Sequence, residues 1–135
     1  MLSPTVDTVR LFIHVLAASL WVGGQIVLAG MVPGLRKVGP DATRAAANGF
    51  ARMAWPAYGV LFFTGIWSLT AQEGSTTSAY LATLGIKLLL VLAVGVSAFL
   101  HSQATNKVVV ATTGALGGIL SLTVLYLGLL LANHG

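Results

Sequence analysis

Four long apolar stretches set the rhythm of the chain, at about residues 9–32, 50–71, 80–103 and 108–132. Each approaches or exceeds the roughly 20 residues that an α-helix needs to cross the hydrocarbon of a bilayer. The stretch 33–41 carries two prolines and two glycines. It predicts a break, followed by a polar, alanine-rich approach to the second stretch. Residues 72–78 form a second polar connection, and a shorter one lies around 105–107. Short connections make neighbouring helices antiparallel. The pattern therefore predicts an all-α fold, an integral membrane four-helix bundle of up-down topology, with residues 1–135 as a single transmembrane domain. The first stretch is longer than a secretory signal core and has no basic leader before it, so it reads as a retained span.

Composition sharpens this picture. Hydrophobic residues make up 56% of the chain and charged residues 7%, against about 25% charged in a soluble domain. Packing in water is the wrong premise, and the lipid bilayer is the expected partner. Seven basic and three acidic side chains give a formal charge of +4. The basic ones fall between apolar stretches rather than in one patch, which argues against nucleic acid. With no cysteine, disulfides, thiolate metal sites and thiol catalysis are excluded.

Charge also predicts orientation. Arg36, Lys37, Arg44 and Arg52 surround the first connection and Lys107 lies in the third, whereas the second has no Lys or Arg. The positive-inside rule then puts the N and C termini outside, with Arg10 dissenting, in what we expect to be a bacterial cytoplasmic membrane. Gly23-Gly24, Gly59, Gly65 and Gly114-x-x-x-Gly118, with Gly117 beside it, are small positions where helices approach closely in lipid. They predict tight packing within the chain, with a homo-oligomer or a larger membrane complex as the alternative use.

Within the apolar stretches a few polar residues carry the chemical interest. Positions 10, 14, 18, 21, 25 and 28 share one face of the first helix and read Arg10, His14, Ala18, Trp21, Gln25, Leu28. Ionisable groups at membrane depth face the bundle interior or a cavity, which makes His14 the first candidate; the bland alternative is a neutral histidine bonded to a neighbouring helix. A second stripe on the third helix reads Lys87, Val91, Val94, Ala98, His101. Lys87 and His101 share that face but differ in depth by roughly 21 Å, so they cannot hold one small ligand. The up-down topology predicts two polar layers: an outer one with Arg10, His14 and Lys87 at similar height, and an inner one with His101 near Gln25, Arg52, Met53 and Lys107. Arg10 and Lys87 have a bland alternative too, extending their alkyl stems so that the charge reaches headgroups. Arg52 and Lys107 read as inside anchors and His134 as a solvated tail residue.

A histidine on a bundle-facing stripe can ligate haem iron, with basic groups pairing the propionates. His14 with Arg10, and His101 with the inner basic residues, both satisfy that logic, although a haem joining the two histidines is geometrically poor. Copper is the alternative metal. Soft ligands select Cu(I), and Met1, Met31 and Met53 are the only sulfur donors, which disfavours a dedicated copper pore and leaves imidazole sites at His14 and His101. Asp7, Asp41 and Glu73 are scattered at the edges, so hydrolytic and phosphoryl-transfer chemistry lack their carboxylates.

The run from Phe12 through His14, Trp21 and Gly23-Gly24 resembles the first helix of the copper-resistance D family. Phe50-Ala51-Arg52 followed by Thr64-Gly65-Ile66 is similar to the family's basic entry and Thr-Gly step. The same opening pattern resembles the HemJ-type membrane protoporphyrinogen oxidases. That resemblance implies that His14 and Lys87, the latter in Gly85-Ile86-Lys87-Leu88-Leu89-Leu90, are a functional pair, and that His101 matches a histidine further along the third helix. Both likenesses imply a compact four-helix bundle, and the second implies haem b. The reading of the sequence is a haem b-binding protein with an electron-transfer or redox role. In it His14, Lys87, Arg10, Trp21 and His101 are cofactor-binding residues, and His14 and His101 the metal ligands. A copper-homeostasis component and a structural accessory subunit are the alternatives.

Overall fold

The structure, a computed structural model, describes residues 3–70 and 77–134. It is helical almost throughout, with four helices: α1 (Val6–Val38), α2 (Pro40–Thr70), α3 (Ser78–Gln103) and α4 (Lys107–His134). Among the described residues α1, α3 and α4 are long and apolar enough to cross a membrane, the make-up of an integral membrane protein. The second apolar stretch falls short of that measure, because Trp55, Pro56, Tyr58, Thr64 and Ser68 dilute its hydropathy.

The sequence dictates where three of the helices begin. Thr5 accepts a hydrogen bond from the Thr8 N–H at 3.2 Å to cap α1, and Asp7 follows in its first turn. Thr77 caps α3 through the Tyr80 N–H at 3.1 Å, and Asn106 Oδ1 accepts from the Val108 N–H at 2.8 Å at the head of α4. Each side chain satisfies one of the N–H groups that a helix start leaves without an internal partner.

The first connection differs from its sequence expectation. Instead of a broken segment over 33–41, α1 runs through Pro33 to Val38 and α2 begins at Pro40, ten residues before the predicted Phe50. Gly39 alone makes the turn, at φ 147° and ψ 166°, a region essentially confined to glycine. Its N–H bonds the Leu35 carbonyl at 3.1 Å. Pro40 follows at the first helical position, where its missing N–H costs nothing. The second connection, 72–78, lies mostly outside the described residues. The third matches its expectation, with residues 104–106 between α3 and α4.

The chain divides into two compact units, 1–72 and 73–135, each an antiparallel helical hairpin. In both, large apolar side chains such as Phe12, Phe63, Leu89 and Leu129 point outward, a placement that suits lipid and would be a liability in water. Among the described residues the buried positions are mostly small: Ala17, Ala54, Ala57 and Thr64 in the first hairpin, Ser97 and Ser121 in the second. Small inward faces let helix backbones approach.

The glycines do this selectively. Gly24 lies against the Phe50 ring, and Gly117 receives Ser97, whose hydroxyl donates to the Thr113 carbonyl at 3.0 Å. Gly118 has nothing within reach of an added Cβ, so the working pair on α4 is Gly114 and Gly117 rather than Gly114 and Gly118. Gly23, Gly59 and Gly65 are likewise open. Because a Cβ on Gly24 would overlap the Phe50 ring, Gly24→Ala should destabilise the first hairpin by about 1–3 kcal/mol, the usual cost of overpacking. Adding Phe50→Ala should recover most of that loss, as reversible unfolding in mixed micelles would show; additive effects would mean that the two residues do not touch.

Candidate functional site

The predicted stripe on α1 turns inward: none of Arg10, His14, Ala18, Trp21, Gln25 and Leu28 is exposed, and Trp21 is 5% exposed. Helical spacing put these residues on one face, and lipid keeps that face against a neighbouring helix.

His14 Nδ1 lies 2.6 Å from Thr64 Oγ1 across the α1–α2 interface. Thr64 Oγ1 also lies 2.7 Å from the Val60 carbonyl and 3.2 Å from that of Leu61. A hydroxyl has one proton to donate and a carbonyl has none. The Thr64 proton therefore goes back to its own helix, the usual habit of a mid-helix threonine, and its oxygen accepts from His14 Nδ1–H. In the neutral ring the lone pair is then on Nε2. Histidines that ligate metals are held in this way, with the second ring nitrogen donating to an oxygen that fixes tautomer and ring plane.

Arg10 sits one turn from His14 on the same face. Its side chain is 14% exposed, and Nε and Nη1 are buried without a hydrogen bond. Nη1 is 3.1 Å from Asp7 Oδ1, close enough for an ion pair but off the angle of a hydrogen bond. Asp7 is 71% exposed, so its charge is well hydrated and compensates the guanidinium only in part. A buried, half-compensated guanidinium attracts a further carboxylate.

On the other side of His14, two turns along α1, Trp21 packs against Tyr58 with ring centroids 5.1 Å apart and against Trp55 at 5.9 Å; Trp55 and Tyr58 are also 5.9 Å apart. The edge-on and tilted geometries suit aromatic quadrupoles. Gln25 turns its amide onto the Trp21 carbonyl at 3.1 Å. Trp21, Trp55 and Tyr58 thus form an aromatic cluster within the first hairpin.

The second hairpin holds the other two predicted residues. Lys87 is half-buried, and its Nζ would lie 3.4 Å from a Cβ on Gly128, so the absent side chain of Gly128 makes its room. It stands nine residues into α3, roughly 14 Å from the helix start, nearer the middle of the helix than either end. That depth argues against simple extension to the headgroups. His101 is exposed rather than sequestered. Its Nδ1 donates to the Val110 carbonyl at 2.8 Å, with Thr113 Oγ1 at 3.2 Å, and its ring fills the space above Gly114. Since a carbonyl only accepts, His101 has the same tautomer as His14.

His14 and Lys87 thus belong to different hairpins, each seated on its own partner helix. Among the described residues no group of three His, Cys, Asp or Glu side chains is placed to hold a metal ion. The side chain of His134 lies outside the described set. Thr64 was visible in the sequence only as part of a Thr-Gly step. The stronger signal was Thr64 and Ser68 at helical spacing inside an apolar stretch.

No family model, curated protein or solved structure matches the chain.

If Thr64 sets the His14 tautomer, Thr64→Val, which keeps the shape and removes the acceptor, should move the His14 side-chain ¹⁵N resonances away from the Nδ1–H pattern, while Thr64→Ser keeps them. Identical spectra for wild type and Thr64→Val would sink the assignment.

Proposed function

We propose that the chain binds haem b through His14 Nε2 and takes part in electron transfer, in keeping with its resemblance to the copper-resistance D and HemJ-type proteins. The observation that carries this reading is the hydrogen bond from His14 Nδ1–H to Thr64, which fixes the tautomer and plane of an imidazole one turn from a buried guanidinium.

The residues suit a porphyrin better than a bare ion. A bare transition metal takes three or four protein ligands, and no such group of His, Cys, Asp or Glu side chains occurs among the described residues. Haem would bring four nitrogens of its own, and His14 would supply the imidazole and Arg10 a counter-charge for a propionate. Bound haem supplies one-electron chemistry at its iron.

The protein's share follows from its own side chains. Thr64 holds the imidazole in one tautomer and one plane, so no reorientation is needed when the lone pair is used. Arg10 offers Nε–H and an Nη1–H to a carboxylate in a place where water competes poorly. Trp21, Trp55 and Tyr58 supply an aromatic cluster two turns along α1 from the ring. Lys87 is a second cation available to an acidic group, and His101 an imidazole at the exposed end of the second hairpin.

Protein produced with ample haem should show a Soret band and reduced-minus-oxidised b-type bands. Both should be lost in His14→Ala, and haem should bind roughly tenfold more weakly in Arg10→Gln, the expected effect of removing a charge-assisted hydrogen bond. A full Soret band in His14→Ala would remove the ligand assignment. Stoichiometric copper without a Soret band would replace the reading with copper homeostasis, and neither metal nor haem would leave an accessory subunit.

A further inference from the structure

The two helices of the first hairpin are longer than the hydrocarbon of a bilayer is thick. α1 has 33 residues and α2 has 31, which at 1.5 Å per residue are about 50 and 46 Å long against a hydrocarbon core of about 30 Å. The excess lies at the Gly39 end, where the ten residues of α2 before Phe50 add roughly 15 Å of helix and include Asp41, Arg44 and Asn48. Opposite them α1 ends in Gly34, Leu35, Arg36, Lys37 and Val38.

This end gathers Arg36, Lys37, Arg44 and Arg52, four of the chain's seven basic residues, and all four are exposed. The accompanying carboxylate, Asp41, is fully exposed and 3.9 Å from Arg44, too loose to neutralise it. The cations occupy a range of heights. Arg52 lies beside Phe50, where the apolar part of α2 begins. Arg44, two turns nearer Gly39, stands roughly 12 Å farther out, with Arg36 and Lys37 close to the turn itself. A headgroup layer is about 5–8 Å deep on each side of the hydrocarbon, and charges act across about 8 Å at physiological salt. The set therefore brackets the plane of lipid phosphates. Exposed Met53, next to Arg52, offers apolar contact at the same boundary.

We infer that the Gly39 end of the first hairpin is a docking surface for anionic phospholipid headgroups, with Arg52 at the hydrocarbon edge and Arg36, Lys37 and Arg44 gripping phosphates from the water side. Electrostatic attraction to an anionic surface is worth about a fivefold preference per nearby Lys or Arg. Three such residues make anionic lipid the favoured neighbour of this end over zwitterionic lipid. The surface is independent of haem binding.

The test uses the whole chain in vesicles of phosphatidylcholine with about one third phosphatidylglycerol, an anionic surface of the kind that attracts basic segments, measuring the boundary preference of spin-labelled phosphatidylglycerol over spin-labelled phosphatidylcholine. Wild type should prefer the anionic lipid. The triple variant R36Q/K37Q/R44Q should lose on the order of tenfold or more of that preference, R36K/R44K should retain it, and added salt should weaken it in wild type and in R36K/R44K. Equal preference in wild type and the triple variant would overturn the inference. So would a wild type without lipid preference that instead binds soluble polyglutamate through the same three residues, since the occupant would then be an acidic protein segment.

Discussion

Lipid offers no hydrogen-bond partner, so hydroxyls and imidazoles such as those of Thr64, Ser97, His14 and His101 turn to their own helix or to the one packed against it. That constraint organises both hairpins. In the first, the Thr64 hydroxyl turns its proton back to Val60 and presents its lone pair to His14. In the second, Ser97 and His101 both reach across to α4, onto the carbonyls of Thr113 and Val110. The bonds hold helix pairs together, and they also fix which ring nitrogen of each histidine holds the proton. Packing and chemistry here are two results of one requirement.

The same requirement explains the division between inner and outer faces. Apolar bulk gains nothing by hiding from lipid, so the large side chains face out and the small ones face in. Gly24 makes space for Phe50, Gly114 for His101 and Gly128 for Lys87. Each of these glycines serves a particular large or polar neighbour, whereas others of equal prominence in the sequence serve none within their hairpin.

Much of the first hairpin was legible beforehand, because helical spacing in an apolar stretch leaves a stripe such as Arg10-His14-Trp21 only one direction to face. The stripe did not reveal its partner: Thr64 lies fifty positions away, and one threonine among apolar residues is a weak signal. Gly39 was hidden among neighbouring prolines and glycines, each of which reads as a helix breaker, although Pro33 is tolerated inside α1 and Pro40 starts α2. The span of α3 was legible to within two residues, 80–103 against Ser78–Gln103, whereas the exposure of His101 was not, because helical spacing assigns a residue to a face without showing how far the partner helix covers it.

Gly39 sits midway in sequence between His14 and Thr64, and α1 and α2 run from it without interruption to both. With one residue in the turn there is no slack to absorb a change in either leg. A residue added to or removed from α1 or α2 would shift one side of the pair by about 1.5 Å along the axis and turn it by roughly 100° around it, parting imidazole from hydroxyl. The hairpin behaves as a caliper whose two arms must stay equal: it tolerates changes of residue type along its outer faces far better than any change of length.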